Sequence, residues 1–261
     1  MSAREKSIAF TSYYPRELLE QLEELAQQTH IPKAHHLREA LRQHLENQGR
    51  LPRPLLEFCG ERVPVIISAR QPQHGSLPEM YALMELSDYL YPTQLDVYLS
   101  NDKILEPTGV LEGSFIALGG PDKNRVSAKI LQSLSQQMAV HMFLERQDDG
   151  RVAVIKNQAT GEKWRADEVE MEAIPHDFSD YGLIVKAPLA QGEGAIVICA
   201  GCHAFGTHAA VRALTLPRTA ALMQRLLREP DGYFEAVVQA RVRNFCPQLP
   251  AVADLHPLAA G

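Results

Sequence analysis

"IAFTSYYPRELLEQLEELAQQTH", Ile8 to His30, opens as a short alternating run, stops at Pro15 and continues as an amphipathic helix. After Pro15, Leu18, Leu22, Leu25 and Ala26 recur at the spacing of one helical face, while Glu17, Glu20, Glu23 and Glu24 fill the other. Pro32 then ends the pattern and suits the first turn of a new helix. That second helix is expected over 33–46, with Leu37, Ala40, Leu41 and Leu45 as its apolar stripe. One strand and two helices in about fifty residues bury too little to stand alone. A second chain is therefore required to cover the stripes and to pair the lone strand.

The order strand, aromatic-Pro-x-Glu-Leu, helix, short turn, helix resembles the ribbon-helix-helix DNA-binding family, the Arc, MetJ and CopG type. "FTSYYPRELLEQL" and "LREALRQHL" carry the likeness, which covers 6–48. It implies that strands of two subunits pair into a ribbon that enters the major groove of double-stranded DNA. Alternation along the strand turns Phe10, Ser12 and Tyr14 toward the helices and leaves Ala9, Thr11 and Tyr13 on the groove side. Thr11 and Tyr13 have hydroxyls for base edges or phosphates, and Ala9 has only a methyl. Lys33, at the start of the second helix, is placed to hold a phosphate. The alternative is a head that only dimerises the protein, since seven Lys or Arg balance seven Asp or Glu over 1–50.

The whole chain of 261 residues has a formal charge of −6, so any nucleic-acid surface must be local. Its four cysteines, Cys59, Cys199, Cys202 and Cys246, do not make a dense disulfide framework. Residues 1–10 carry no signal-peptide pattern, and no apolar stretch approaches the roughly 20 residues of a membrane span. A cytoplasmic protein with no membrane partner is expected.

The stretch "NQGRLPRPLLEFCGERVP" has no helical period, and it sets the expected domains: 1–48 for DNA binding and dimerisation, 49–62 as linker, and 63–261 as a larger effector domain. Apolar runs at 63–69, 95–99, 115–118 and 195–199, with helical patterns at 78–89, 126–134 and 209–214, predict an α/β fold with a mostly parallel central sheet. Segments 140–146 and 152–157, joined through "QDDGR", predict a β-hairpin excursion, and 234–242 a further strand.

Two strand ends are rich in glycine, "SFIALGGPDKNRVSAKIL" and "GAIVICAGCHAFGTHAAVRAL". Such strand-to-helix turns gather backbone amides at a helix N-terminus, where anions bind. Gly119, Gly120, Asn124, Ser127, Gly201, His203, Gly206 and Thr207 are the ligand-binding candidates this implies, with Asp180-Tyr181-Gly182 as a further loop on the rim. "CAGCH", Cys199 to His203, has the spacing of a c-type haem attachment; the alternatives are a redox pair, part of a metal site, a Cys nucleophile or plain packing. No third catalytic partner, no metal set and no cofactor is assigned. The expected protein is a dimeric, or higher even-numbered, transcriptional regulator whose effector domain senses a small anionic or nucleotide-like molecule. The rival is an enzyme acting on a nucleotide-like or phosphorylated small molecule, with the head serving for oligomerisation or autoregulation.

Overall fold

The computed structural model describes residues 16–29, 32–33, 35–36, 62–67, 77–90, 96–101, 114–137, 142–146, 153–169, 177–188, 194–227 and 232–258. The chain divides into two compact units, Met1–Leu51 and Pro52–Gly261. In the first, helix α1 spans Arg16–Thr29; on its leucine side Leu25 is 42% exposed and Leu22 and Ala26 are half-buried. A second helix begins after Pro32, whose carbonyl accepts the amides of His35 (2.8 Å) and His36 (3.4 Å). The ribbon strand and most of the second helix lie outside the described residues, and so do the groove-facing candidates Ala9, Thr11 and Tyr13.

The second unit begins with β1 (Arg62–Ile67), α2 (Leu77–Leu90), β2 (Asp96–Asn101), β3 (Phe115–Leu118) and α3 (Arg125–Gln137). A small antiparallel sheet follows, of β4 (Met142–Arg146), β5 (Ala153–Asn157) and β6 (Lys163–Arg165). Strands β7 (Asp177–Pro188) and β8 (Ala195–Gly201) return the chain to the main sheet. Helices α4 (Ala204–Thr215) and α5 (Pro217–Leu226) precede β9 (Phe234–Arg243), β10 (Cys246–Pro247) and β11 (Ala251–Pro257).

Among the described residues the main sheet has eight strands in the order β10-β9-β7-β8-β3-β1-β2, with β11 also paired to β9. The parallel arrangement expected from the sequence holds for β2, β1, β3 and β8. Strands β7, β9, β10 and β11 add an antiparallel half. The hairpin expected over 140–157 is β4 and β5, extended by β6.

Alternation explains why the runs lack polar residues, because both faces of the sheet are covered. Val197 and Cys199 of β8 pack with α2, α4 and α5, while Ile196, Ile198 and Ala200 pack with α3 and the small sheet. Leu183 and Val185 of β7 join the second face, and Ile184 joins the first. Fully burying each Ile, Leu or Val contributes about 1.5–3 kcal/mol, so these two layers supply most of the driving force. The small sheet is also tied by a polar contact: Glu235 of β9, fully buried, accepts the amide of Met142 at 3.0 Å.

Candidate functional site

β3 and β8 run parallel with Leu118 opposite Cys199, so their carboxyl ends lie side by side. β7 enters the same edge antiparallel, with Gly182 opposite Gly201. The two glycine-rich turns therefore share one edge of the sheet. The chain also reverses its strand order between β1 and β3, and ligands of open α/β sheets bind at such a switch point.

At the first turn, Gly119 has φ +101°, a conformation that L side chains rarely adopt, and its amide continues the ladder to the Cys199 carbonyl at 2.8 Å. Asn124 caps α3: its Oδ1 accepts the amides of Val126 (3.0 Å) and Ser127 (3.3 Å), and its Nδ2 donates to the Leu118 carbonyl (3.0 Å). Ser127 Oγ donates to the Gly119 carbonyl at 2.9 Å. Both side chains are fully buried, so their hydrogen bonds shape the turn. Lys123 is exposed and Asp122 is half-buried at the tip, with their charged groups 4.0 Å apart.

The second turn is arranged differently from its sequence reading, for Gly206 and Thr207 stand within α4 and both are buried. His203 is the N-cap residue, but its side chain makes no capping bond. The cap comes from β7 instead. The Asp180 carboxylate accepts the amides of Tyr181 (2.8 Å), His203 (3.2 Å) and Gly206. A carboxylate at a helix N-terminus is favoured by the dipole and the unpaired amides. Burial nevertheless dominates, pushing the Asp180 carboxyl up to about 6 against the lowering effect of the nearby His203 and of these amides. Asp180-Tyr181-Gly182 thus belongs to a strand rather than a loop.

Close backbone approach explains three glycines here. A Cβ on Gly206 would lie closer than 3.0 Å to the Tyr181 carbonyl oxygen, one on Gly182 to the Gly206 oxygen, and one on Gly201 to the Thr207 nitrogen. The helix start is seated directly on the β7 and β8 backbones. By contrast, a Cβ on Gly120 meets Asp122 Oδ1 at 3.0 Å and a Leu144 methyl at 3.4 Å.

The cysteines of "CAGCH" are separated by the sheet: Cys199 packs on the α2 and α4 side, and Cys202 on the α3 side. Burial pushes both thiols up to about 12. Cys202 is 5% exposed, its amide bonds to the Tyr181 carbonyl at 3.0 Å, and its Sγ lies 3.7 Å from the Trp164 carbonyl. His203 is half-buried, with Nε2 3.2 Å from the Asp167 carbonyl, which requires a proton on that nitrogen. Burial, then Asp167 and Cys202, push the Tyr181 hydroxyl up. Of the predicted ligand-binding residues Gly201 and His203 stand partly open, as does Tyr181, while Gly119, Gly120, Asn124, Ser127, Gly206 and Thr207 are buried.

A second polar cluster joins α2 to α4 and was not anticipated. Glu85 accepts from Thr215 (3.0 Å), lies 3.1 Å from His208 Nε2 and has Arg212 at 3.6 Å. Burial opposes its charge, but His208, Arg212 and Thr215 together hold its carboxyl below the ordinary value. The signal in the sequence was the spacing of His208, Arg212 and Thr215, which puts all three on one side of α4. Among the described residues no group of three His, Cys, Asp or Glu side chains forms a metal site, and no helix is long and apolar enough to cross a membrane.

In the first unit, Lys33 Nζ bonds to Glu23 Oε1 at 2.7 Å, with both side chains about half exposed. Residues 15–48 match the profile of the ribbon-helix-helix protein, copG family. The amino-terminal segment is accordingly a ribbon-helix-helix unit, of the DNA-binding regulator type. No curated protein matches the chain.

Proposed function

We propose that the protein is a homodimeric DNA-binding transcriptional regulator whose second unit senses a small anionic or nucleotide-like ligand at the carboxyl edge of the main sheet. The observation that carries the reading is the ribbon-helix-helix match over 15–48. The exposed Leu25 on α1 supports a partner chain on that side of the helix.

Support for sensing comes from the adjacent turns after β3 and β8 and from the order reversal between β1 and β3. Both helix N-termini at this edge already hold internal caps, Asn124 on α3 and Asp180 on α4. Ligand recognition therefore rests on the turn after β3, whose Gly119 and Gly120 are buried but whose Lys123 is exposed, and on the partly open His203 ring. Ligand binding acts on DNA affinity by linkage, favouring one arrangement of the protein over another.

A thermal-shift screen of nucleotides and phosphorylated metabolites is the first assay, since a ligand that binds only the folded state raises the melting temperature. The stabilising compound is then added to a fluorescence-anisotropy titration of operator DNA. A change in DNA affinity supports the sensor. Failure of the full chain to bind any duplex at low salt removes the regulator reading, and consumption of the compound replaces sensing with catalysis.

A further inference from the structure

We propose that the α2 and α5 face of the second unit is a dimerisation surface, on which α2 of one chain packs against α5 of a second copy. Helix α2 is apolar on two sides. Pro78, Ala82, Leu86 and Leu90 are buried toward the sheet, while Leu77 (54%), Met80 (50%), Tyr81 (42%) and Met84 (59%) are exposed. The outer four are spaced i, i+3, i+4, i+7, one continuous stripe. An exposed apolar row of this size on a surface marks a contact site.

Helix α5 exposes a matching row. Leu222 and Leu226 are 36% and 53% exposed, with Arg218 and Arg225 open beside them. The charges are complementary: besides Glu85, which α4 of the same chain holds, α2 carries Glu79 and Asp88 and no base, whereas α5 carries Arg218 and Arg225 and no acid. Two copies of α2 repel each other, and α2 with α5 attract. Both helices pack on the same face of the sheet as α4, whose residues are almost all buried. A two-fold axis over that face pairs α2 with the partner's α5 and α5 with the partner's α2 at once, as a self-complementary interface requires.

This inference rests on the homodimeric head proposed above. A dimeric head supplies the second copy at an effective concentration of roughly millimolar order, so a modest interface suffices to close. Closure also gives the ligand edge something to act on, because α4 begins at that edge and lies in the same helical layer.

The test is thiol cross-linking in the full chain, in a background of Cys59→Ser and Cys246→Ser that leaves only the buried Cys199 and Cys202. Chains carrying Met84→Cys and chains carrying Leu222→Cys are co-expressed with different tags and treated with a short bis-maleimide. Ser135→Cys on α3 is the control for random collision. The mixed pair is expected to give about tenfold more covalent dimer than the control, as tethered proximity implies. Equal yield from Met84→Cys alone shows α2 meeting α2 and overturns the pairing. A background chain that sediments as a dimer but gives no cross-link above control overturns this interface and leaves the head intact. A background chain that sediments as a monomer at micromolar concentration removes the homodimeric head and this inference together.

Discussion

Asp180 on β7 and Gly206 in the first turn of α4 are joined by a hydrogen bond from the Gly206 amide to the Asp180 carboxylate, across 26 residues of sequence. Its consequence is a pH dependence of stability with an unusual sign. The Asp180 carboxyl is raised from 3.8 to about 6 by burial, so between those values the folded state holds a proton that the unfolded chain has released. Stability from this group is fully present below pH 3.8 and is lost as pH rises through about 6, a change on the order of 3 kcal/mol. Asp180→Asn, which cannot ionise, is expected to remove that slope. Urea denaturation at pH 4.5 and pH 7 measures it, and an unchanged slope in the variant assigns the dependence elsewhere.

The glycines at this junction separate packing from ligand contact. Gly206→Ala drives a Cβ into the Tyr181 carbonyl, and Gly182→Ala drives one into the Gly206 carbonyl, where only backbone can move. Each is expected to cost roughly 2–4 kcal/mol and to lower the unfolding midpoint of the second unit. Neither variant can isolate ligand binding. Gly120→Ala meets the end of the Asp122 side chain and a Leu144 methyl, which can give, so it should stay folded. Loss of thermal stabilisation by the ligand in Gly120→Ala, with an unchanged melting temperature of the free protein, is the expected result.

The thiols offer a check on chemistry at the same edge. With Cys199 and Cys202 pushed up to about 12, their thiolate fraction at pH 8 is of order 10⁻⁴, and both are buried. Iodoacetamide on the native protein should therefore leave both unmodified in peptide mass spectra, while denaturant exposes them. Rapid native labelling of Cys202 would show an activated thiol and revive a nucleophilic role.

What the sequence disclosed and what it concealed follow from how far apart the interacting residues are. Runs such as 115–118 and 195–199 announced strands buried on both faces because every residue in them but Ala195 is buried. β7 was concealed because it opens with "DFSDYG", in which Asp180 serves a cap and Asp177 pairs with Arg241 of the neighbouring strand rather than either belonging to a loop. Gly206 and Thr207 read as a turn since the group that lets α4 start at Ala204 comes from a distant strand. Asn124 stood out in the sequence because it caps from within its own turn, where it bonds to Leu118, Val126 and Ser127. Of the Glu85 cluster only the α4 side, His208, Arg212 and Thr215, is a local pattern; its partner Glu85 lies more than a hundred residues away and no spacing reports it.

The last prediction concerns DNA. In the first unit Lys33 is held by Glu23 across an exposed pair, which is weak in water and readily exchanged for a phosphate. Lys33→Ala should weaken binding to operator and random duplexes about equally and reduce the slope of log affinity against log salt by about one. Glu23→Gln should act in the opposite direction, because it frees the ammonium and removes a nearby negative charge. Thr11→Ala and Tyr13→Ala, on the groove side of the expected ribbon, should instead alter the preference between operator and random DNA. Anisotropy titrations at several salt concentrations resolve these effects. If Lys33→Ala leaves the salt slope unchanged, Lys33 is not the phosphate anchor, and if Thr11→Ala with Tyr13→Ala leaves the preference unchanged, the ribbon does not read the bases.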